Sequence, residues 1–84
     1  MQINSSSRFD RQYSKMEPRL QKLVKQRLEI LKNDPFDPRL GSHKLQGWLK
    51  NYYSFRVDYK NRVIFKFEDS SILLFSVGQH DIYD

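Results

Sequence analysis

The sequence predicts an α+β domain in which two antiparallel N-terminal helices pack on one face of a small twisted, mostly antiparallel sheet. Three observations predict it. Apolar residues recur at helical spacing as far as Leu31 and switch to alternation from Tyr53 onward, so helices precede the main strands. Pro35, Pro38, Gly41 and Gly47 all fall between these two regions, which marks one ordered connection over residues 34–51. The 84 residues, 38% hydrophobic with six Phe, five Tyr and one Trp, supply one small core, hence a single domain over residues 1–84.

The elements follow in order. Gln2 to Asn4 has room for an edge strand, and Ser5-Ser6-Ser7 is an N-cap cluster ahead of Phe9, Tyr13 and Met16 at i, i+4 and i+7. Pro18 suits the first turn of a second helix, whose Leu20, Leu23, Val24, Leu28 and Leu31 share one face. Asn33-Asp34-Pro35 stops it, because Asn tolerates a left-handed C-terminus and a residue before proline avoids the helix. Trp48, Tyr52 and Tyr53 read as packing residues where the loop meets the sheet, with Trp48 partly exposed. Tyr53, Phe55, Val57 and Tyr59 then alternate with polar residues, as do Val63, Phe65 and Phe67. A three-residue loop, Tyr59-Lys60-Asn61, would join these strands, with Asn61 left-handed, Val57 opposite Val63 and Phe55 opposite Phe65. The apolar face would meet the helices; Arg56, Arg62 and Lys66 would share an open, basic face, with Arg56 diagonal to Arg62. Ile72 to Val77, apolar on both sides, reads as a central strand.

Charge is unevenly placed. Net charge is +5. Seven basic residues (Arg39, Lys44, Lys50, Arg56, Lys60, Arg62, Lys66) and one acid, Asp58, lie between Arg39 and Lys66, whereas no Lys or Arg follows Phe67. A basic sheet face suits a phosphate backbone. The absence of cysteine excludes disulfides and thiolate metal sites. No apolar run reaches membrane-spanning length, and the polar N-terminus has no signal-peptide apolar region, so a cytoplasmic protein is the expectation. There is no Gly-rich phosphate loop, no histidine pair at metal spacing and no nucleophile elbow; no metal or cofactor is expected.

Four residues are candidates for chemistry. His80 follows Gly78 where the chain leaves the last strand, which would lay it beside the basic face. Imidazole accepts and donates protons near neutral pH, and arginine forks match phosphate oxygens. Together they meet the needs of RNA cleavage by internal transfer, which requires no metal. Spacing alone fits a surface histidine bonded to Asp81 equally well. Arg56 and Arg62 fit either phosphate forks or a solvated face that discourages edge pairing, and the lack of matched acids favours the forks. His43 fits a turn-capping loop histidine better than a catalytic one. Lys44, Lys50, Lys60 and Lys66 extend the basic surface toward RNA, and Tyr83 would either stack on a base or cover the end of the core.

Five segments in order (Asp34-Pro35-Phe36-Asp37-Pro38, His43-Lys44-Leu45-Gln46-Gly47, Tyr53-Ser54-Phe55-Arg56-Val57, Asn61-Arg62-Val63-Ile64-Phe65 and Val77-Gly78-Gln79-His80-Asp81-Ile82-Tyr83) resemble the RelE/ParE toxin superfamily. Among its members the chain is most similar to RelE/StbE and YafQ-like toxins of bacterial type II toxin–antitoxin modules. The resemblance implies two N-terminal helices on a twisted antiparallel sheet. It also implies a ribosome-dependent endoribonuclease that cleaves mRNA and is neutralised by a cognate antitoxin, with the ribosome and its mRNA as the other partner. Through it, His80 matches a catalytic histidine, His43 a loop histidine, Arg62 an active-site arginine and Tyr83 a substrate-contacting aromatic. Two positions depart from the pattern: Lys60 stands where YafQ-like members carry an acid, with Asp58 two residues earlier, and Arg56 stands in place of a histidine. The acid/base pairing is thereby left open between His80 with His43 and His80 with arginines. A ParE-like gyrase inhibitor and an inactive module that binds antitoxin or nucleic acid are the alternatives.

Overall fold

A computed structural model describes residues 1–83, with the side chain of Tyr83 outside that description. The chain runs through β1 (Gln2–Ser5), α1 (Ser7–Ser14), α2 (Pro18–Asn33), β2 (His43–Lys44), β3 (Tyr53–Arg56), β4 (Arg62–Glu68) and β5 (Ser71–Gly78). Two 3₁₀ turns, Gly47–Leu49 and His80–Tyr83, complete it. The five strands form one mixed sheet in the order β1-β5-β4-β3-β2, with β1 parallel to β5 and the other pairs antiparallel.

Local chemistry explains the helix boundaries. Ser6 is the N-cap of α1: its hydroxyl accepts from Phe9 N at 3.0 Å and donates to the Phe75 carbonyl at 2.8 Å, which ties the helix start to β5. Pro18 occupies the first turn of α2. At its end, Asn33 keeps a negative φ and Asp34 turns extended, its carboxylate accepting from Phe36 N at 3.0 Å. The left-handed asparagine is therefore not used at Asn33, nor at Asn61; among the described residues Asp69, in the β4–β5 turn, is the non-glycine residue with positive φ.

One core joins helices and sheet. Phe9, Val24, Leu31 and Leu40 cluster with Phe55, Val57, Val63, Phe65, Ile72, Leu74 and Val77. Burial of a side chain such as Phe55 or Phe65 stabilises the fold by about 1.5–3 kcal/mol. The opposite face is not the open basic surface expected. Ile64 lies there, fully buried with Leu49 and Ile82, and Leu45, Tyr52 and Phe75 pack around them. The connection after β2 folds back over this face and covers its centre, leaving Arg62 and Lys66 on either side of Ile64.

The hairpin register also differs from expectation. Val63 faces Phe55, Phe65 faces Tyr53 and Arg62 faces Arg56, a shift of two residues. A shift of two preserves which face each side chain occupies, so alternation cannot distinguish the registers. The turn decides. Asp58 Oδ1 accepts from Lys60 N at 2.9 Å, from Asn61 N and from Asn61 Nδ2 at 3.1 Å, while Val57 N donates to Asn61 O at 2.9 Å. This Asx-type clamp needs residues 57–61 for the connection, which ends β3 at Arg56. Tyr59, expected in the connecting loop, stands at its tip and is 84% exposed.

At the other edge, β1 covers β5 only as far as Leu74. Beyond it, Ser6 N donates to Leu74 O, and Gln12 Oε1 accepts from Ser76 Oγ at 2.9 Å and Val77 N at 2.8 Å. The Ser6 backbone and the Gln12 side chain thus complete the hydrogen bonding of the strand end that leads to His80.

Candidate active site

The site is built where β4 begins and β5 ends. Arg62 faces Gly78, so the last residue of β5 and the first of β4 lie side by side, and His80 follows at the start of the C-terminal 3₁₀ turn. Gly78 has φ of +157°, and a Cβ there would lie 2.7 Å from Ile82 Cγ2. No larger residue lets the turn pack this closely, and Ile82, buried in the second cluster, anchors it.

Two grooves meet at His80. One, about 400 Å³, is lined by Tyr59, Lys60, Arg62, Gln79 and His80. The other, about 520 Å³, runs between the α1–α2 connection and the 3₁₀ turn, past Gln12, Met16, Leu20, Asn61 and Asp81. Both contain Gln79 and His80. His80 is exposed on the ridge between them. The smaller groove combines an imidazole, a guanidinium, an ammonium and an aromatic ring. That set can hold a phosphate, move a proton and contact a base.

The other expected residues lie elsewhere. Arg56 is the register partner of Arg62, directly opposite rather than diagonal, and its guanidinium lies against Gly41, where an added Cβ would come within 3.1 Å of Nη2. His43 was expected in a loop; it forms the short edge strand β2 opposite Ser54, with Nδ1 3.3 Å from the Gly41 carbonyl oxygen. Two strands, β3 and β4, separate it from β5. At ~4.8 Å per strand its backbone is on the order of 14 Å from the strand that leads to His80. Arg56 and His43 therefore gather around Gly41, apart from the groove.

Among the lysines, Lys60 lines the groove and has Nζ 5.5 Å from the Tyr59 ring centroid. Lys66 lies four residues along β4 from Arg62, ~13 Å away by strand rise. It pairs with Glu68 at 3.6 Å and sits over the Tyr52 ring. Lys44, in β2, and Lys50, after the first 3₁₀ turn, are exposed and outside both grooves. Trp48, expected to be partly exposed at the junction, is 66% exposed. The expectation for the Tyr83 side chain lies outside the described residues.

Asp58 takes no place in the groove. Burial acts to raise its pKa, but the Asn61 and Lys60 amides and the Asn61 side chain outweigh this and hold it below the ordinary carboxylate range. Its acceptors are committed to the turn, and it faces Glu17, Arg19, Leu20 and Leu23 on the helical side. Sequence reasoning missed Tyr59 and Gln79 as groove residues. The Asp58-Tyr59-Lys60-Asn61 string carried the signal, since Asp and Asn so spaced favour an Asx turn that puts Tyr59 at its tip.

No known family model matches the sequence, and no curated protein matches it at a significant level. Solved structures do match. A YoeB/ParE toxin from Agrobacterium tumefaciens superposes with a TM-score of 0.83 at 16% identity, over 95% of this chain and 99% of that one. YafQ from E. coli gives 0.81 at 21% identity, over 96% and 94%. A chain of the E. coli DinJ-YafQ toxin–antitoxin complex gives 0.78 at 21% identity, over 95% and 92%. At these identities it is the backbone that is shared, over 95–96% of this chain, and the chain has the fold of the RelE/ParE toxins.

Proposed function

We propose that this chain is the toxin of a type II toxin–antitoxin pair and acts as a ribosome-dependent endoribonuclease on mRNA. The observation that carries the reading is the shared groove of His80, Arg62 and Lys60. The structural likeness to toxins supports the biological role, and the charge of +5 suits both an RNA substrate and an acidic antitoxin.

In this reading Lys60 and Arg62 hold the phosphate flanking the cleavage point. The 2′-hydroxyl loses its proton and its oxygen attacks the adjacent phosphorus. The bond to the 5′-oxygen breaks, and that oxygen takes up a proton. The products are a 2′,3′-cyclic phosphate and a 5′-hydroxyl. His80 is the proton-transfer group, and the Arg62 fork neutralises charge on the pentavalent phosphorane. No step requires a metal. Among the described residues His80 is the histidine in the groove, so one protein group serves two proton transfers. Holding the mRNA in line for attack then falls to the ribosome, which accounts for the dependence. Arg56 and His43 guide the RNA backbone from the neighbouring cluster at Gly41. Among the described residues no helix is long and apolar enough to cross a membrane, and action in the cytoplasm, where ribosomes are, follows from the reading.

Primer-extension mapping of mRNA 5′ ends on translating ribosomes, with wild-type protein and His80→Ala, tests the proposal. Cuts in register with the reading frame that vanish in the variant are expected. Frame-locked cuts that survive would move the chemistry to Arg62, Arg56 or His43. Growth arrest without cuts would instead indicate a gyrase inhibitor.

A further inference from the structure

Among the described residues Tyr59 is the most exposed of the large apolar side chains, at 84%, yet its backbone belongs to a turn held by three hydrogen bonds to Asp58 Oδ1. Phe36, also exposed, is partly covered by contacts with Tyr53 and Phe67. For Tyr59, the ring contact among the described residues is the Lys60 ammonium at 5.5 Å. A ring so presented adds nothing to the core, and an exposed aromatic on a fixed backbone binds a partner with little loss of conformational freedom.

Its surroundings define that partner. The ring lines the same groove as Lys60, Arg62 and His80, whose volume of about 400 Å³ lies in the range of small-ligand clefts. A cation beside an aromatic face, next to a guanidinium, is the pairing that takes one nucleotide of a single strand: phosphate on the cations, base on the ring. We infer that Tyr59 is the stacking platform for a nucleobase of single-stranded RNA next to the phosphate held by Arg62. The inference rests on the nuclease reading above and adds to it a base subsite at the hairpin tip. The second groove, across the His80 ridge, leaves the strand room to continue.

The test measures binding of the purified full chain to a fully 2′-O-methylated, hence uncleavable, RNA of about eight nucleotides. Tyr59→Ala is expected to weaken binding about 5- to 100-fold, with the salt dependence unchanged. Tyr59→Phe should bind close to wild type, whereas Tyr59→Leu, which keeps bulk but has no π face, should not. Lys60→Ala should lower the salt slope by about one. Full binding by Tyr59→Ala and Tyr59→Leu, with Arg62→Ala defective, would overturn the base subsite and leave the nuclease reading intact. Reduced cleavage on ribosomes with oligonucleotide binding unaltered would also overturn it, by making Tyr59 a contact to the ribosome. Absence of RNA binding and of ribosomal cleavage in the wild type would overturn both.

Discussion

Arg56 and Arg62 stand directly opposite one another in the β3–β4 ladder, yet their guanidinium groups serve different places. Arg62 lines the groove with His80, whereas Arg56 lies against Gly41. The ion pairs among the described residues are Arg39–Asp37 and Lys66–Glu68, so no carboxylate offsets this facing pair. Like charges directly opposite in a sheet destabilise it by about 0.2–1 kcal/mol.

Removing either charge should therefore separate stability from activity. Arg62→Gln and Arg56→Gln are each expected to raise the unfolding free energy by a few tenths of a kcal/mol at low salt, an effect that fades as salt screens the pair. Arg62→Gln should slow single-turnover cleavage on programmed ribosomes about 10²–10³-fold. Arg56→Gln should mainly weaken RNA binding and flatten its salt dependence. Equal loss of the chemical step in both variants would contradict the division between groove and Gly41 cluster.

Gln12 holds the end of β5 from a distance of 64 residues in sequence, by one oxygen that accepts from Ser76 Oγ and Val77 N. Gln12→Ala strands two donors on residues that are themselves buried. A loss of about 1–3 kcal/mol in denaturant unfolding is expected. Gln12→Glu keeps the acceptor and should recover most of it. Hydrogen exchange at Val77 would show the strand end opening in the alanine variant and not in the glutamate one.

Gly78→Ala sets a methyl group 2.7 Å from Ile82 Cγ2, on a backbone with φ of +157°. The 3₁₀ turn must shift, carrying His80 with it. The expected result is a loss of about 1–3 kcal/mol, as overpacking typically gives, and a fall in cleavage larger than the fall in RNA binding. Activity at the wild-type level would show that His80 need not be held by this turn.

Acid should loosen the hairpin tip. The folded-state pKa of Asp58 is depressed, so its contribution is complete above the unfolded value near 3.9 and disappears as pH falls through the lower folded value. Asp37, whose pKa the Arg39 guanidinium holds at about 2, follows the same sign over the window from about 4 to about 2. Thermal unfolding between about pH 6 and pH 2 should thus show a decline that begins near pH 4. Asp58→Asn retains an acceptor for the turn amides but cannot titrate, and its decline should be shallower. An unchanged profile would exclude Asp58 from the acid response.

By itself, the sequence determined what depends on neighbours along the chain. The serine cap at Ser6, Pro18 at the start of α2, the helical stripe from Leu20 to Leu31 and the alternation through β4 are short-range patterns, and each became the element it predicts. The basic stretch and the glycine before His80 were equally legible, because composition and Gly78 are visible without any fold. The tertiary structure decided which of these residues meet. Two registers that differ by two residues present identical faces, and only the Asp58 clamp selects the one that puts Arg56 opposite Arg62 and lifts Tyr59 into solvent. Sheet order put β3 and β4 between His43 and β5, a separation invisible in sequence because β2 is a two-residue strand. The same order brought Arg62 beside Gly78, and Gln12 to the edge that β1 leaves open. A site drawn from two strand ends and a turn is a matter of register and topology, and those are fixed by hydrogen bonds and packing between segments far apart in the chain.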